Sequence, residues 1–131
     1  MPLVQPHVCD RCHRPVDLRI GATGHTGELR TSAWYTCSHC HQSMEADGLV
    51  IDPATRQAML AAEGKRGLRV DEEGERALRV AQQLRALLDI PMVEAMAMRR
   101  RMPGVVFEGL AAECEWLAIV LKRAGWKALL V

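Results

Sequence analysis

Apolar and polar positions fall into two textures along this chain. As far as Asp52 the runs are short and strand-like. VDLRI at 16–20 alternates inward and outward positions, ELRTSAWYT at 28–36 is rich in β-prone residues, and GLVID at 48–52 reads as a third strand. The glycine-rich GATGHTG at 21–27 lies between strands and opens no helix, so it reads as a hairpin loop rather than a phosphate cradle. Residues 1–52 are thus predicted to form a small antiparallel β module.

Pro53 opens a short helical stretch, ATRQAMLAAEG, that runs into the polar GKRG at 64–67; residues 53–66 read as a helix and linker. From Gly67 the period changes. GLRV is a short strand, and DEEGERALRVAQQLRALL at 71–88 is a helix whose early acids suit its dipole and whose Ala77, Ala81, Leu84 and Leu88 mark a buried stripe. Asp89 is expected to cap a second helix, PMVEAMAMRRRM, which Pro103 and Gly104 end. VVFE, then LAAECEWLAIVLKRA closed by Gly125, then WKALLV complete the order β-α-α-β-α-β over residues 67–131. The fold class is α+β, with two small domains.

Composition adjusts this picture in three ways. At 131 residues and 49% apolar content the chain is neither disordered nor fibrous, but its first third has too few large apolar side chains for a core of its own, so a staple is expected. No apolar run approaches the roughly 18 residues of a membrane span, and MPLVQPHVCD has no export-signal pattern, so a cytoplasmic protein without membrane partners is expected. Residues 1–52 carry four arginines against six carboxylates, a net −2, whereas residues 53–131 carry a net +3. A zinc ion with four thiolates takes the first segment to about −4. That charge repels phosphate and argues against a nucleic-acid partner.

The staple is legible. Cys9-Asp10-Arg11-Cys12 and Cys37-Ser38-His39-Cys40 are two C-x2-C knuckles with a hairpin-like stretch between them. Two such turns offer four thiolates in the tetrahedron that zinc accepts most readily, with no position left for water, which is the pattern of a structural zinc ribbon. Both knuckles continue with histidine, and C-x-x-C-H is also a haem-attachment sequence; haem is set aside for want of an export signal. A redox dithiol lacks its βαβ context. Ligation by one of His7, His13, His25, His39 or His41 stays open, although four sulfurs already satisfy the metal. Cys114 falls on the apolar stripe of Leu110, Leu117 and Leu121 and reads as a core thiol.

The segment RALRVAQQLRALLDIPMVEAMAMRRRMPGVVFEGLAAECEWLAIVLKRAGWKALLV resembles the C-terminal domain of bacterial ribosomal protein L7/L12, the stalk domain that contacts translational GTPases. Leu88, Ile90, Met92, Glu94-Ala95, PGVVFEGL and the helix ending in Ala124-Gly125 carry the likeness, which implies the same order of elements. Where that family has a glycine-rich turn and lysines, this chain has Asp89-Ile90-Pro91, Val93 and Met98, so the GTPase-facing role does not transfer to those positions. The paired knuckles resemble immunity proteins of myxobacterial type, with His13 and His41 in place of the glycine that follows each knuckle there.

Two surfaces are candidates for a protein partner. Met92, Met96 and Met98 with Arg99, Arg100 and Arg101 suit an acidic partner, against the plainer reading of core methionines and a solvated arginine end. Trp116 is either packing between the domains or an anchor for a partner or a homodimer. No recognisable catalytic frame accompanies them. The expectation is a non-enzymatic, zinc-stabilised binding protein, an immunity or inhibitor protein directed at a toxin. A translational-GTPase or ribosome factor is the alternative, and a nucleic-acid regulator the third.

Overall fold

The computed structural model describes residues 2–48 and 50–131. Contacts gather the chain into two compact units, Met1–Thr23 with Arg30–Gly64, and Gly24–Leu29 with Lys65–Val131. As expected, the fold is α+β: the described residues form seven strands in two antiparallel sheets, with four helices.

The first unit is a four-stranded meander of β1 (Leu3–Val8), β2 (Pro15–Thr23), β3 (Arg30–Thr36) and β4 (Ser43–Asp47), with α1 (Pro53–Glu63) beside β1. Alternation buries Val16, Ile20, Ala33 and Tyr35 and turns Asp17 and Arg19 outward. The strand expected at 48–52 is not where the chain pairs. Ser43–Asp47 takes that place, because the short second knuckle fixes the register from Thr36 opposite Ser43 to Ser32 opposite Asp47. Gly48, at φ 73°, then turns the chain and its N–H reaches the Thr31 carbonyl. Of the expected strand, Leu49 lies outside the described residues, while Asp52 caps α1 by accepting from the Thr55 N–H at 2.7 Å. That bond holds the Asp52 carboxyl below its ordinary range.

The second unit has the predicted order: β5 (Arg66–Val70), α2 (Gly74–Leu88), α3 (Met92–Arg101), β6 (Gly104–Gly109), α4 (Ala111–Arg123) and β7 (Ala128–Leu130). Its sheet runs β6-β5-β7, with β5 central. Leu68, Val70, Val80, Leu84, Val106, Leu117 and Leu121 form the core. The α2 stripe is Ala77, Ala81 and Leu84 as expected, joined by Val80, with Leu88 only partly buried.

Three details depart from expectation. The helix α2 begins at Gly74, so of the acids at its start only Glu75 lies in the first turn. Asp71 pairs with Arg69 at 2.9 Å, and Glu72 is drawn into the fold as a buried acceptor. Asp89 does not cap α3. It adopts a left-handed conformation, φ 52°, that closes α2, and Pro91 stands at the start of α3. Gly125 does end α4, at φ 91°. At the other end of α4, Glu113 reaches back to accept from the Leu110 N–H at 2.8 Å.

Among the described residues no helix is long and apolar enough to cross a membrane.

Candidate metal centre

The two knuckles are built alike. In the first, between β1 and β2, the Cys9 N–H donates to the Arg14 carbonyl at 2.9 Å and the His13 N–H to the Cys9 carbonyl at 2.9 Å. In the second, between β3 and β4, the Cys37 N–H reaches Gln42 at 2.8 Å and the His41 N–H reaches Cys37 at 3.0 Å. The residue after each second cysteine is therefore left-handed, His13 at φ 60° and His41 at φ 63°. Histidine is among the non-glycine residues enriched in this region, so the histidines of the CxxCH strings are compatible with their turns. Both histidines are exposed, and no imidazole belongs to the cluster among the described residues.

The sheet brings the knuckles together. The ligand atoms of Cys9, Cys12, Cys37 and Cys40 lie within 4.8 Å of one another, with the Cys9 and Cys40 sulfurs 3.6 Å apart and those of Cys12 and Cys37 also 3.6 Å apart. A regular tetrahedron with zinc–sulfur bonds of about 2.3 Å has edges of about 3.8 Å, so these sulfurs are spaced to receive one such ion with little movement. Four cysteines close together are thus a candidate site for a single metal ion, and the chemistry of four sulfurs favours zinc. Cys9 and Cys37 are fully or nearly fully buried, and all four are free of disulfides.

Electrostatics prepare the site unevenly. The Cys12 N–H, aided by that of Arg11, draws the Cys9 thiol down to about 6 against the cost of burial. The N–H groups of Cys40 and His39 lower Cys37 in the same way. Cys12 has the help of the Arg14 N–H, but burial and the neighbouring sulfurs push it up to about 11. A cation entering the cluster would replace the proton that Cys12 holds at neutral pH.

Tyr35 supports the site and was not anticipated. Its hydroxyl accepts from the Asp10 N–H at 3.1 Å, and its ring lies 5.7 Å from that of His7. Although the Asp10 N–H favours the phenolate, burial, the Asp10 carboxylate and a hydrogen bond with Cys9 together raise the phenol above its ordinary value, so it stays protonated beside the sulfur. The signal was in the alternation of β3: Tyr35 stands two residues before Cys37 and so shares its face.

No family model, curated protein or solved structure matches this chain.

The residues singled out for a partner are placed differently from one another. Met92 is 44% exposed, Met96 is partly buried against the core, and Arg99, Arg100 and Arg101 are exposed on α3. Met98, expected on the partner surface, is only 8% exposed; the spacing that carries it around α3 turns it into the core instead. Trp116 is half-buried, packed on the core of its unit and close to the backbone of Gly24.

Proposed function

We propose that this chain is a non-enzymatic, zinc-stabilised protein-binding protein of the immunity or inhibitor kind, which neutralises a partner toxin by direct contact. The four-sulfur cluster carries the reading. Its four donors use every position of a tetrahedral ion, so the metal is spent on holding the scaffold, and function falls to the surfaces that the scaffold fixes. Two paired C-x2-C knuckles resemble the immunity proteins noted above, which points to a toxin as the partner.

The test has two steps. Metal analysis of the purified protein should give one zinc per chain. Co-expression with a toxin encoded beside it should restore growth, and the two proteins should co-purify. Recovery of only ribosomes or elongation factors on the tagged protein would overturn the toxin reading.

A second reading, a factor that associates with translational GTPases, is favoured by one observation. The second unit has the β-α-α-β-α-β order implied by its resemblance to the L7/L12 C-terminal domain. Cosedimentation of the protein with ribosomes would support it.

A further inference from the structure

We propose that the outer face of the four-stranded sheet is a docking surface for a protein segment presenting a lysine or arginine beside apolar residues. This inference rests on the binding-protein reading above and names the partner chemistry for one surface.

The register defines the face. Pro15, Asp17, Arg19 and Gly21 of β2 point away from buried Val16 and Ile20. Across the strands, Val4 and Trp34 stand opposite Arg19, Pro6 stands opposite Asp17, and Glu45 stands opposite Trp34. The β1 edge of this face is apolar and uncovered, with Val4 48% and Val8 50% exposed. Between the strands lies a groove of about 520 Å³ lined by Pro6, Pro15, Asp17, Arg19, Trp34 and Thr36. The indole of Trp34 leans across Gly21, where an added Cβ would lie 3.4 Å from the ring, so the half-buried ring rests on the strand as part of the groove wall.

Charge selects the occupant. On this face Asp17, Glu45 and Asp47 outnumber Arg19 and Arg30, with Glu45 directly opposite Trp34 and Asp47 opposite Ser32, the neighbour of the Gly21 that the indole covers. An aromatic face flanked by Glu45 and Asp47 attracts a cationic side chain and disfavours phosphate or an acidic peptide. The flanking Pro6, Pro15, Val4 and Val8 suit the apolar neighbours of that cation. Addition of a strand at the β1 edge is discouraged by Pro6, which has no N–H to donate, so the face rather than the edge is the contact.

Three probes decide it: a capped peptide alternating lysine and valine, the same peptide with glutamate for lysine, and a single-stranded oligonucleotide. Each is titrated into the metal-loaded full chain and followed by calorimetry and backbone amide NMR. The lysine peptide should bind and shift amides of β1, β2 and β3. Trp34→Ala should weaken it about tenfold, as expected of an aromatic anchor. Glu45→Lys, an exposed change that leaves the sheet intact, should weaken it several-fold while one metal per chain is retained, and it decides the matter if Trp34→Ala does not fold. No binding of the lysine peptide, equal binding of the glutamate peptide, preference for the oligonucleotide, or unchanged affinity in Glu45→Lys overturns the proposal. Any of these with toxin neutralisation intact removes this surface alone, whereas loss of neutralisation in the unaltered protein removes the function proposed above.

Discussion

The guanidinium of Arg76 lies 4.7 Å from the centre of the Trp126 ring while its Nε donates to Glu72 at 2.8 Å. Glu72 is 5% exposed and also accepts from the Lys127 N–H at 2.9 Å, and Trp126 in turn donates from Nε1 to Gln83 at 2.9 Å. One carboxylate thereby ties the start of α2 to the segment between α4 and β7. Trp126, expected to begin the last strand, is instead held on α2, and the strand starts at Ala128.

This network makes the second unit sensitive to acid. The Arg76 hydrogen bonds, and then the Lys127 N–H, draw the Glu72 carboxyl from 4.5 down to about 2. A carboxyl depressed on folding contributes stability that is fully present above its unfolded value and is lost as pH falls through its folded value. Urea midpoints should therefore decline as pH drops from about 5 toward 2, and in Glu72→Gln that decline should be shallower, with lower stability at neutral pH. An unchanged pH profile in Glu72→Gln would show that the carboxylate is not so coupled.

Gly24 should tolerate no larger residue. A Cβ there would fall onto the Ala112 carbonyl oxygen and lie 2.8 Å from the Trp116 Cβ. The same loop is tied to α4 by the Arg123 Nη1 bond to the Thr26 carbonyl at 3.3 Å, so it has little freedom to retreat. Gly24→Val should cost about 1–3 kcal/mol, as overpacking does. His25→Ala, at the exposed neighbouring position, should stay within about 0.5 kcal/mol of the parent. Equal thermal midpoints for the two variants would contradict the packing.

His13 and His41 invite the opposite experiment. Each is held left-handed by its knuckle, a conformation that costs an L-residue and not glycine. His13→Gly and His41→Gly should each stabilise the metal-loaded protein by about 0.5–1 kcal/mol, in part offset by a more flexible unfolded chain. Metal stoichiometry should stay the same. A lost metal would instead make the imidazole a ligand.

How much of this was legible depended on where the signal was carried. The second unit could be read because apolar residues recur at helical spacing from Ala77 to Leu84 and from Leu110 to Leu121, and caps such as Gly125 have local causes. The cysteine cluster could be read because each knuckle is a local turn with its sulfurs at fixed spacing. The strand β1 could not, since LVQPHV contains Pro6 and leaves Val4 and Val8 uncovered. Nor could β4, whose SMEAD has no strand propensity to speak of and is extended because β3 pairs with it. Glu72 reads as one more helix-start acid. Its partners Arg76 and Lys127 are four and 55 residues away, and only the fold brings the second to it.

Removing the metal is the strongest test of what holds the first unit. Around the ligands its buried side chains are few, Val16 and Tyr35 with partly buried Leu18 and Met44, and elsewhere among the described residues the unit adds Ile20, Ala33, Met59 and Leu60. Without an ion, four buried or half-buried sulfurs would have to share a pocket in which Cys12 keeps its proton and Cys9 tends to lose it. Structural zinc supplies on the order of 10 kcal/mol, more than so few side chains can. A strong chelator should therefore erase amide protection in β2 and β3, while the amides of β5, whose Leu68 and Val70 sit in a core that contains no metal ligand, should stay protected. Cys9→Ser and Cys37→Ser should reproduce the chelated spectrum without chelator. Persistence of β2 and β3 protection in the chelated protein would show that the four cysteines are not its staple.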